Sequence, residues 1–166
     1  MALDAAGQQV TDTGIAGVIA RPPLLFLAAL LLGLVSDRLL PRPFALPGTH
    51  LVYWMSGGSM ILVGLALFAA GIRNFSRAGT SVPTNQPTRV LVTTGIHGWT
   101  RNPIYLGMFL IYIGIGLAAQ SPWVLMITVP LAITIRYGVV AREEVYLERR
   151  FGDAYRDYKA RVHRWL

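Results

Sequence analysis

The amino-acid sequence predicts an all-α integral membrane protein with four transmembrane helices and a C-terminal amphipathic helix on the cytoplasmic side. Hydrophobic residues make up 54% of the 166 residues and charged residues only 14%, whereas soluble domains average about 25% charged residues. So few charges could not cover the surface of a globule of this size, but a bilayer would solvate the remaining apolar surface. Long apolar runs separated by turn-rich loops then give the number of helices.

A chain of this length corresponds to one domain. We therefore expect 1–166 to form a single membrane unit, with a cytosolic lead-in over 1–23, four spans within 24–135 and a cytoplasmic C-terminal helix over 136–166. The lead-in does not have the basic start of a secretory signal peptide.

The first two spans are predicted on either side of a loop rich in proline. Residues 24–35 form a purely apolar run. With Asp37 and Arg38 at the interface the span extends to residue 40 and has 17 residues, which is near the minimum for crossing a bilayer. Residues 51–72 contain 22 residues without a charge, a length that matches a hydrocarbon core of about 30 Å. Small residues in this second span would let a neighbouring helix approach closely. They are Ser56, Gly57, Gly58, Gly64, Ala66 and Gly71.

The third and fourth spans are predicted as a helical hairpin. The apolar runs 104–119 and 123–135 are each somewhat short for a span, and a tight turn separates them. Pro122 ends the first run and suits the first position of the next helix.

The distribution of charge predicts the orientation. The net charge is +7, and the segment 72–103 contributes four arginines and no acidic residue. An even number of spans places this segment and both termini on one side, which the positive-inside rule makes cytoplasmic. Arg38 and Arg42 near the first loop favour the opposite orientation weakly.

The C-terminal stretch predicts an amphipathic helix. An apolar stripe recurs at spacings of three and four residues on an otherwise charged segment, formed by Leu147, Phe151, Tyr155, Tyr158 and Val162. We expect it to lie on the bilayer surface or to fold back over the cytoplasmic mouth, with a break at Gly152.

Several classes of function are not expected. The excess positive charge lies beside apolar spans, and no zinc-finger or helix-turn-helix spacing is present, so we predict no nucleic-acid partner. The chain has no cysteine and only three histidines, in separate regions. We therefore predict neither a thiol nucleophile nor a metal site.

Two polar groups of residues remain, both on the predicted cytoplasmic side. Asn102 suits a helix N-cap and Pro103 suits the first helical position, so free backbone N–H groups should face the cytosol there. Arg101 beside this helix start would strengthen the binding of a carboxylate or phosphate. The alternative is an ordinary capped helix with an arginine at the interface.

The second polar group is Arg142-Glu143-Glu144, where the fourth helix leaves the membrane. Adjacent glutamates near apolar surface need partners, because each charged form loses hydration. Arg136, two turns earlier, is one candidate partner. The pair of carboxylates would hold a cationic ligand or orient an amine, unless it is only solvated charge.

The order and spacing of several motifs resemble one enzyme family. The motifs are Leu91-Val92-Thr93-Thr94-Gly95, Arg101-Asn102-Pro103-Ile104-Tyr105, Glu143-Glu144 with Leu147, and Phe151-Gly152-Asp153-Ala154-Tyr155 with Tyr158. Together they resemble the isoprenylcysteine carboxyl methyltransferase family, which is related to the membrane phospholipid methyltransferases. The resemblance covers about 73–166, more than half of the chain.

This resemblance implies a membrane enzyme that uses S-adenosylmethionine without a Rossmann domain and methylates a lipophilic small molecule or lipid. The cofactor-binding residues that it implies are Arg89, Val90, Leu91, Val92, His97, Asn102, Pro103, Ile104, Tyr105 and Glu143. The candidate catalytic residues are Glu143, Glu144 and Arg101.

Three positions depart from the family's pattern and leave the acceptor open. Many members have tyrosine in place of His97 and histidine in place of Asn102. Members that methylate a prenylcysteine carboxylate have arginine in place of Val139, although Arg136 or Arg142 could substitute for it. The methylated atom is therefore an O, N or S nucleophile. The alternatives are N-methylation of a phospholipid head group and a non-catalytic membrane scaffold.

Overall fold

The structure is a computed structural model that describes residues 16–82 and 87–165. The described part is helical and contains no strand. Its helices are α1 Pro22–Leu39, α2 His50–Arg77, α3 Pro103–Ala118, α4 Pro122–Ile135, α5 Ala141–Phe151 and α6 Asp153–Arg161. A 3₁₀ turn, Gly95–Gly98, precedes α3, and a π-helical turn, Arg136–Val140, joins α4 to α5. The predicted lead-in up to residue 15 lies outside the described residues.

Three helical segments are long and apolar enough to cross a membrane, namely Pro22–Leu39, His50–Arg77 and Pro122–Phe151. The large apolar side chains on the outer faces of α1 and α2 are exposed, as expected for an integral membrane protein. α3 is also apolar but has only 16 residues. All four predicted apolar helices are therefore present, while a fourth crossing by α3 stays a prediction.

The helix boundaries follow the local signals in the sequence. α3 begins at Pro103. α5 ends at Phe151, and Gly152 after it has a positive φ of 55°, which glycine adopts at little cost. The helix that contains the fourth apolar run does not end at residue 135. It continues through the π-helical turn into α5, so Pro122–Phe151 is one uninterrupted helical segment.

α2 packs against α3 through glycines. Gly57, Gly64 and Gly71 are buried at intervals of seven residues, which places them on one face of α2. A Cβ atom on Gly64 would lie 2.7 Å from the carbonyl oxygen of Gly107, and one on Gly114 would lie 2.7 Å from that of Gly57. The two backbones thus touch, as in small-residue interfaces of membrane helices. The other three small residues predicted for this role, Ser56, Gly58 and Ala66, are not buried.

Two apolar clusters fix the remaining elements. The larger joins α1, α3, α4 and the π-helical turn, and it contains Phe26, Tyr105, Tyr112, Val124, Leu131, Ile135, Val139 and Val140. The smaller contains all five residues of the predicted apolar stripe together with Leu91. The C-terminal helix therefore packs on the loop that precedes α3, while its predicted cytoplasmic placement stays a prediction.

We predict that Gly64→Ala destabilises the protein by about 1–3 kcal/mol, because its Cβ atom would push two backbones apart. Gly58→Ala is the matched control, since a Cβ atom at Gly58 meets nothing within 4 Å. Thermal unfolding of both variants in one detergent measures the difference. Equal unfolding midpoints would contradict the close contact between α2 and α3.

Candidate functional site

A cavity lies at the N-terminal end of α3, where the end of α2, the loop before α3, α5 and α6 meet. The space inside it, including open solvent at its mouth, is about 630 Å³. Ten of the twelve residues predicted for the site line it. They are Leu91, Val92, His97, Arg101, Asn102, Pro103, Ile104, Tyr105, Glu143 and Glu144.

The other two predicted residues, Arg89 and Val90, do not line the cavity. Both are exposed, and their backbone N–H groups donate to the Thr80 hydroxyl at 2.7 and 3.4 Å. They anchor the loop to the end of α2. Their neighbours Leu91 and Val92 contribute to the wall instead.

Glu143 joins the two polar groups that the sequence separates. The Tyr105 hydroxyl donates to Glu143 Oε1 at 2.7 Å across 38 residues of sequence. Both side chains are 5% exposed. Because the surroundings of this hydrogen bond are dry, it is stronger than it would be in water. It ties the first turn of α3 to the first turn of α5.

Glu144 is held by two arginines. The Arg164 guanidinium donates to both carboxylate oxygens, at 2.9 and 2.6 Å, and Arg101 Nη2 lies 3.3 Å from Oε1. Glu144 is only 8% exposed, so it needs partners of this kind to stay charged.

The partners considered for the glutamates from the sequence alone lie elsewhere. Arg136 is exposed, and its guanidinium lies 5.4 Å from the centre of the Tyr137 ring. Arg142 donates to the backbone carbonyl of Gly17 at 2.9 Å. Neither arginine lines the cavity. Neither therefore substitutes for the arginine that the family pattern has in place of Val139.

Arg101 retains unused hydrogen-bonding capacity. Its side chain is 9% exposed, and its Nε and Nη1 atoms are buried without a hydrogen-bond partner in the described part of the chain. It precedes the N-terminus of α3, where the helix dipole favours negative charge. The site is thus built to accept a carboxylate or a similar anion.

Asn102 occupies the N-cap position of α3, as predicted, but its side chain does not cap the helix. Its Nδ2 instead donates to the carbonyl of Arg164 at 2.9 Å, and the Thr100 hydroxyl donates to the same oxygen at 3.2 Å. The backbone N–H of Arg101 donates to the carbonyl of His163 at 3.0 Å. The chain after α6 is therefore bound along the start of α3.

Three residues at the cavity were not predicted for the site from the sequence, namely Arg164, Tyr155 and Tyr158. Both tyrosines line the cavity, and their place on the apolar stripe was the signal for their burial. Burial and the nearby charge of Glu144 raise the pKa of Tyr155 to about 12, so it is a neutral hydrogen-bonding group. Arg164 follows the stripe without a local pattern that would indicate its role.

His97 belongs to the cavity wall as an uncharged ring. It is 3% exposed, and its backbone carbonyl accepts a 2.7 Å hydrogen bond from the Tyr158 hydroxyl. Burial lowers the pKa of the ring from 6.5 to about 4. Within residues 16–82 and 87–165, no cluster of three potential metal ligands includes it or any other histidine.

A model of the phospholipid methyltransferase family matches residues 52–154, which is more than half of the chain. The chain belongs to this family. Its residues are also similar to proteins named Protein-S-isoprenylcysteine O-methyltransferase. The one from Rattus norvegicus is 32% identical over 126 residues, covering 70% of this chain and 42% of that protein. The one from Saccharomyces cerevisiae is 37% identical over 73 residues, covering 44% of this chain and 30% of that protein.

These relatives confirm the resemblance drawn from the motifs. The match spans less than half the length of each of the two relatives, so it compares this chain with one part of them. No solved structure matches the chain.

We predict that acid destabilises the fold through His97. The unfolded ring takes up a proton below about pH 6.5, whereas the buried ring resists protonation until about pH 4. The stability that this burial contributes is therefore complete above pH 6.5 and is lost as the pH falls towards 4. Between pH 7 and pH 4, the free energy of unfolding should fall by roughly 3 kcal/mol more in the wild type than in His97→Phe. Denaturant unfolding in one detergent measures this, with the exposed His163→Phe as control. Parallel pH curves for wild type and His97→Phe would contradict it.

Proposed function

We propose that this chain is an S-adenosylmethionine-dependent methyltransferase of the membrane that acts on a small lipophilic acceptor. The observation that carries the proposal is the cavity in which the Tyr105–Glu143 hydrogen bond and the unsatisfied Arg101 guanidinium meet. The family to which the chain belongs is named for methyl transfer.

The residues of the cavity suit the chemical groups of S-adenosylmethionine. The Arg101 guanidinium matches its carboxylate in charge, and either of its two free nitrogens can donate a hydrogen bond to it. Glu143 suits its amino group or its ribose hydroxyls, and apolar walls such as Ile104 and Leu147 suit a purine ring. When bound, this molecule would supply a methyl group carried on a positively charged sulfur. A nucleophile would take the methyl group, and the sulfur would keep the bonding electrons and leave as a neutral thioether.

The protein's contribution to such a displacement is alignment and the exclusion of water. A carboxylate or thiolate acceptor has no proton to lose, whereas an amine must give one up. Glu143 is the candidate base for an amine. Both oxygens of Glu144 already bind guanidinium groups, which suits a positioning residue.

The surroundings of the cavity favour an acceptor other than a carboxylate. Val139 is fully buried in the larger apolar cluster, so no cation is available at that position. Arg101 is the one arginine or lysine that lines the cavity in the described part of the chain, and the donor's carboxylate would occupy it. A second candidate function is N-methylation of a phospholipid head group, which the name of the matching family favours.

We infer that the cavity faces the cytoplasm. We also infer that α3 crosses the membrane, which brings the number of spans to four. The acid-free segment 72–103 carries four arginines, and it leads from α2 to the cavity. The positive-inside rule favours the cytoplasm for this side of the membrane. The lipophilic acceptor would then reach the cavity from the bilayer, between helices.

A product assay distinguishes the candidate functions. Purified protein in vesicles, supplied with methyl-labelled S-adenosylmethionine and membrane lipid extract, should transfer label to a lipophilic product that mass spectrometry identifies. Labelled phosphatidylethanolamine derivatives would establish head-group methylation instead. If no product forms and calorimetry detects no binding of S-adenosylhomocysteine, the protein is a scaffold.

We predict that Arg101→Met weakens binding of S-adenosylhomocysteine about 10- to 100-fold, because a charged hydrogen-bonded pair is lost. Arg164 still holds Glu144 in this variant, so the fold should survive. 5′-Methylthioadenosine lacks the amino-acid part and is the matched probe. Its affinity, measured by the same titration calorimetry, should be nearly unchanged. An equal loss for both ligands would show that Arg101 does not bind the carboxylate.

We also predict that Glu143→Ala and Tyr105→Ala weaken binding of S-adenosylhomocysteine while the protein stays folded. Each removes one half of a buried hydrogen bond and part of the cavity wall. Glu148→Ala is the control, because Glu148 lies on the same helix and pairs with Arg156 and Lys159 away from the cavity. Unchanged affinity in both site variants, by calorimetry, would refute the site.

A further inference from the structure

Asn74, near the end of α2, contacts the loop that carries His97. Its side-chain nitrogen lies 2.7 Å from the carbonyl oxygen of Thr94 and 3.3 Å from His97 Nδ1. Asn74 itself does not line the cavity. It acts on the site only through the residues that it holds.

These two contacts determine which nitrogen of His97 carries the proton. A carbonyl oxygen can only accept, so the amide group that faces Thr94 is the NH₂ group. The same NH₂ group faces His97 Nδ1, which must then accept as well. Because the ring is neutral at physiological pH, its single proton is on Nε2.

The surrounding residues hold this arrangement in place. Gly95 has a φ of +60°, and a Cβ atom there would lie 2.7 Å from the Asn74 nitrogen, so glycine leaves room for the amide. The edge of the Phe75 ring packs on the His97 ring with 4.9 Å between centroids. His97 itself lines the cavity.

We propose that Asn74 is a positioning residue that fixes His97 as an Nε2–H donor to the nucleoside part of the bound methyl donor. The inference rests on the proposed function. A neutral N–H beside Phe75 and Tyr158 suits an uncharged acceptor atom, such as a purine nitrogen or a ribose hydroxyl. The charged amino-acid part of the donor is matched by Arg101 and Glu143 instead.

Nitrogen NMR of the histidine rings, with S-adenosylhomocysteine as the titrated probe, tests the proposal. In wild-type protein labelled on histidine, the Nδ1 resonance of His97 should have the shift of an unprotonated ring nitrogen. His97→Phe assigns the signal against His50 and His163. In Asn74→Asp the carboxylate can only accept, so Nδ1 should become protonated.

Calorimetry with the same probe should show affinities reduced about 3- to 10-fold in Asn74→Ala and in His97→Phe, as expected for one neutral hydrogen bond. The double variant, Asn74→Ala with His97→Phe, should lose no more affinity for the probe than His97→Phe alone, because Asn74 acts through the His97 ring. Ser76→Ala, an exposed change on the same turn of α2, is the control and should bind as wild type does.

A protonated Nδ1 in wild-type His97 would overturn the proposal, and this measurement needs no variant to fold. Unchanged affinity in His97→Phe would also overturn it, as would additive losses in the double variant. The proposed function is tested separately by the wild-type titration. If wild-type protein does not bind the probe, that function and this inference both fail.

Discussion

The burial of two adjacent glutamates is the constraint on which the site depends. Consecutive residues of a helix point about 100° apart, so Glu143 and Glu144 cannot share one partner. Glu143 meets Tyr105 on α3, and Glu144 meets Arg164 after α6. Removing one hydrogen-bond partner from a buried carboxylate costs stability. The two glutamates therefore fix the positions of α3, α5 and the C-terminal segment relative to one another.

The π-helical turn ahead of these glutamates decides which side chains reach the cavity. Such a turn adds a residue to the helix and rotates the residues after it about the helix axis. It places Val139 in the apolar cluster and the next residue, Val140, in the cavity wall. The backbone N–H of Ile19 donates to the carbonyl of Gly138 within this turn at 3.2 Å. The chain ahead of α1 is thereby hydrogen-bonded to the π-helical turn that precedes Glu143 and Glu144.

The sequence predicted the features that depend on local signals. The start of α3 at Pro103, the break at Gly152 and the apolar stripe through Tyr155 are all determined by neighbouring residues. The pairing of Glu144 with Arg164 is not, because it depends on how the chain folds back over 20 residues. The side chain of Asn102 is a second example. It was expected to cap α3 but donates to the carbonyl of Arg164, which is distant in the sequence. Ten of the twelve residues predicted for the site nevertheless line one cavity, although their two groups lie far apart in the sequence.

The lengths of α2 and α3 place the cavity at the polar boundary of the membrane. The 16 residues of α3 extend about 24 Å, less than a hydrocarbon core of about 30 Å. Its first turn packs beside Gly71, where a Cβ atom would meet Ile104. α2 continues from there to Arg77, and Arg73 and Arg77 on this last part are exposed. Arginines at this depth reach head groups and water, so this position is the one that the proposed transfer from a polar donor to a lipid-dissolved acceptor requires.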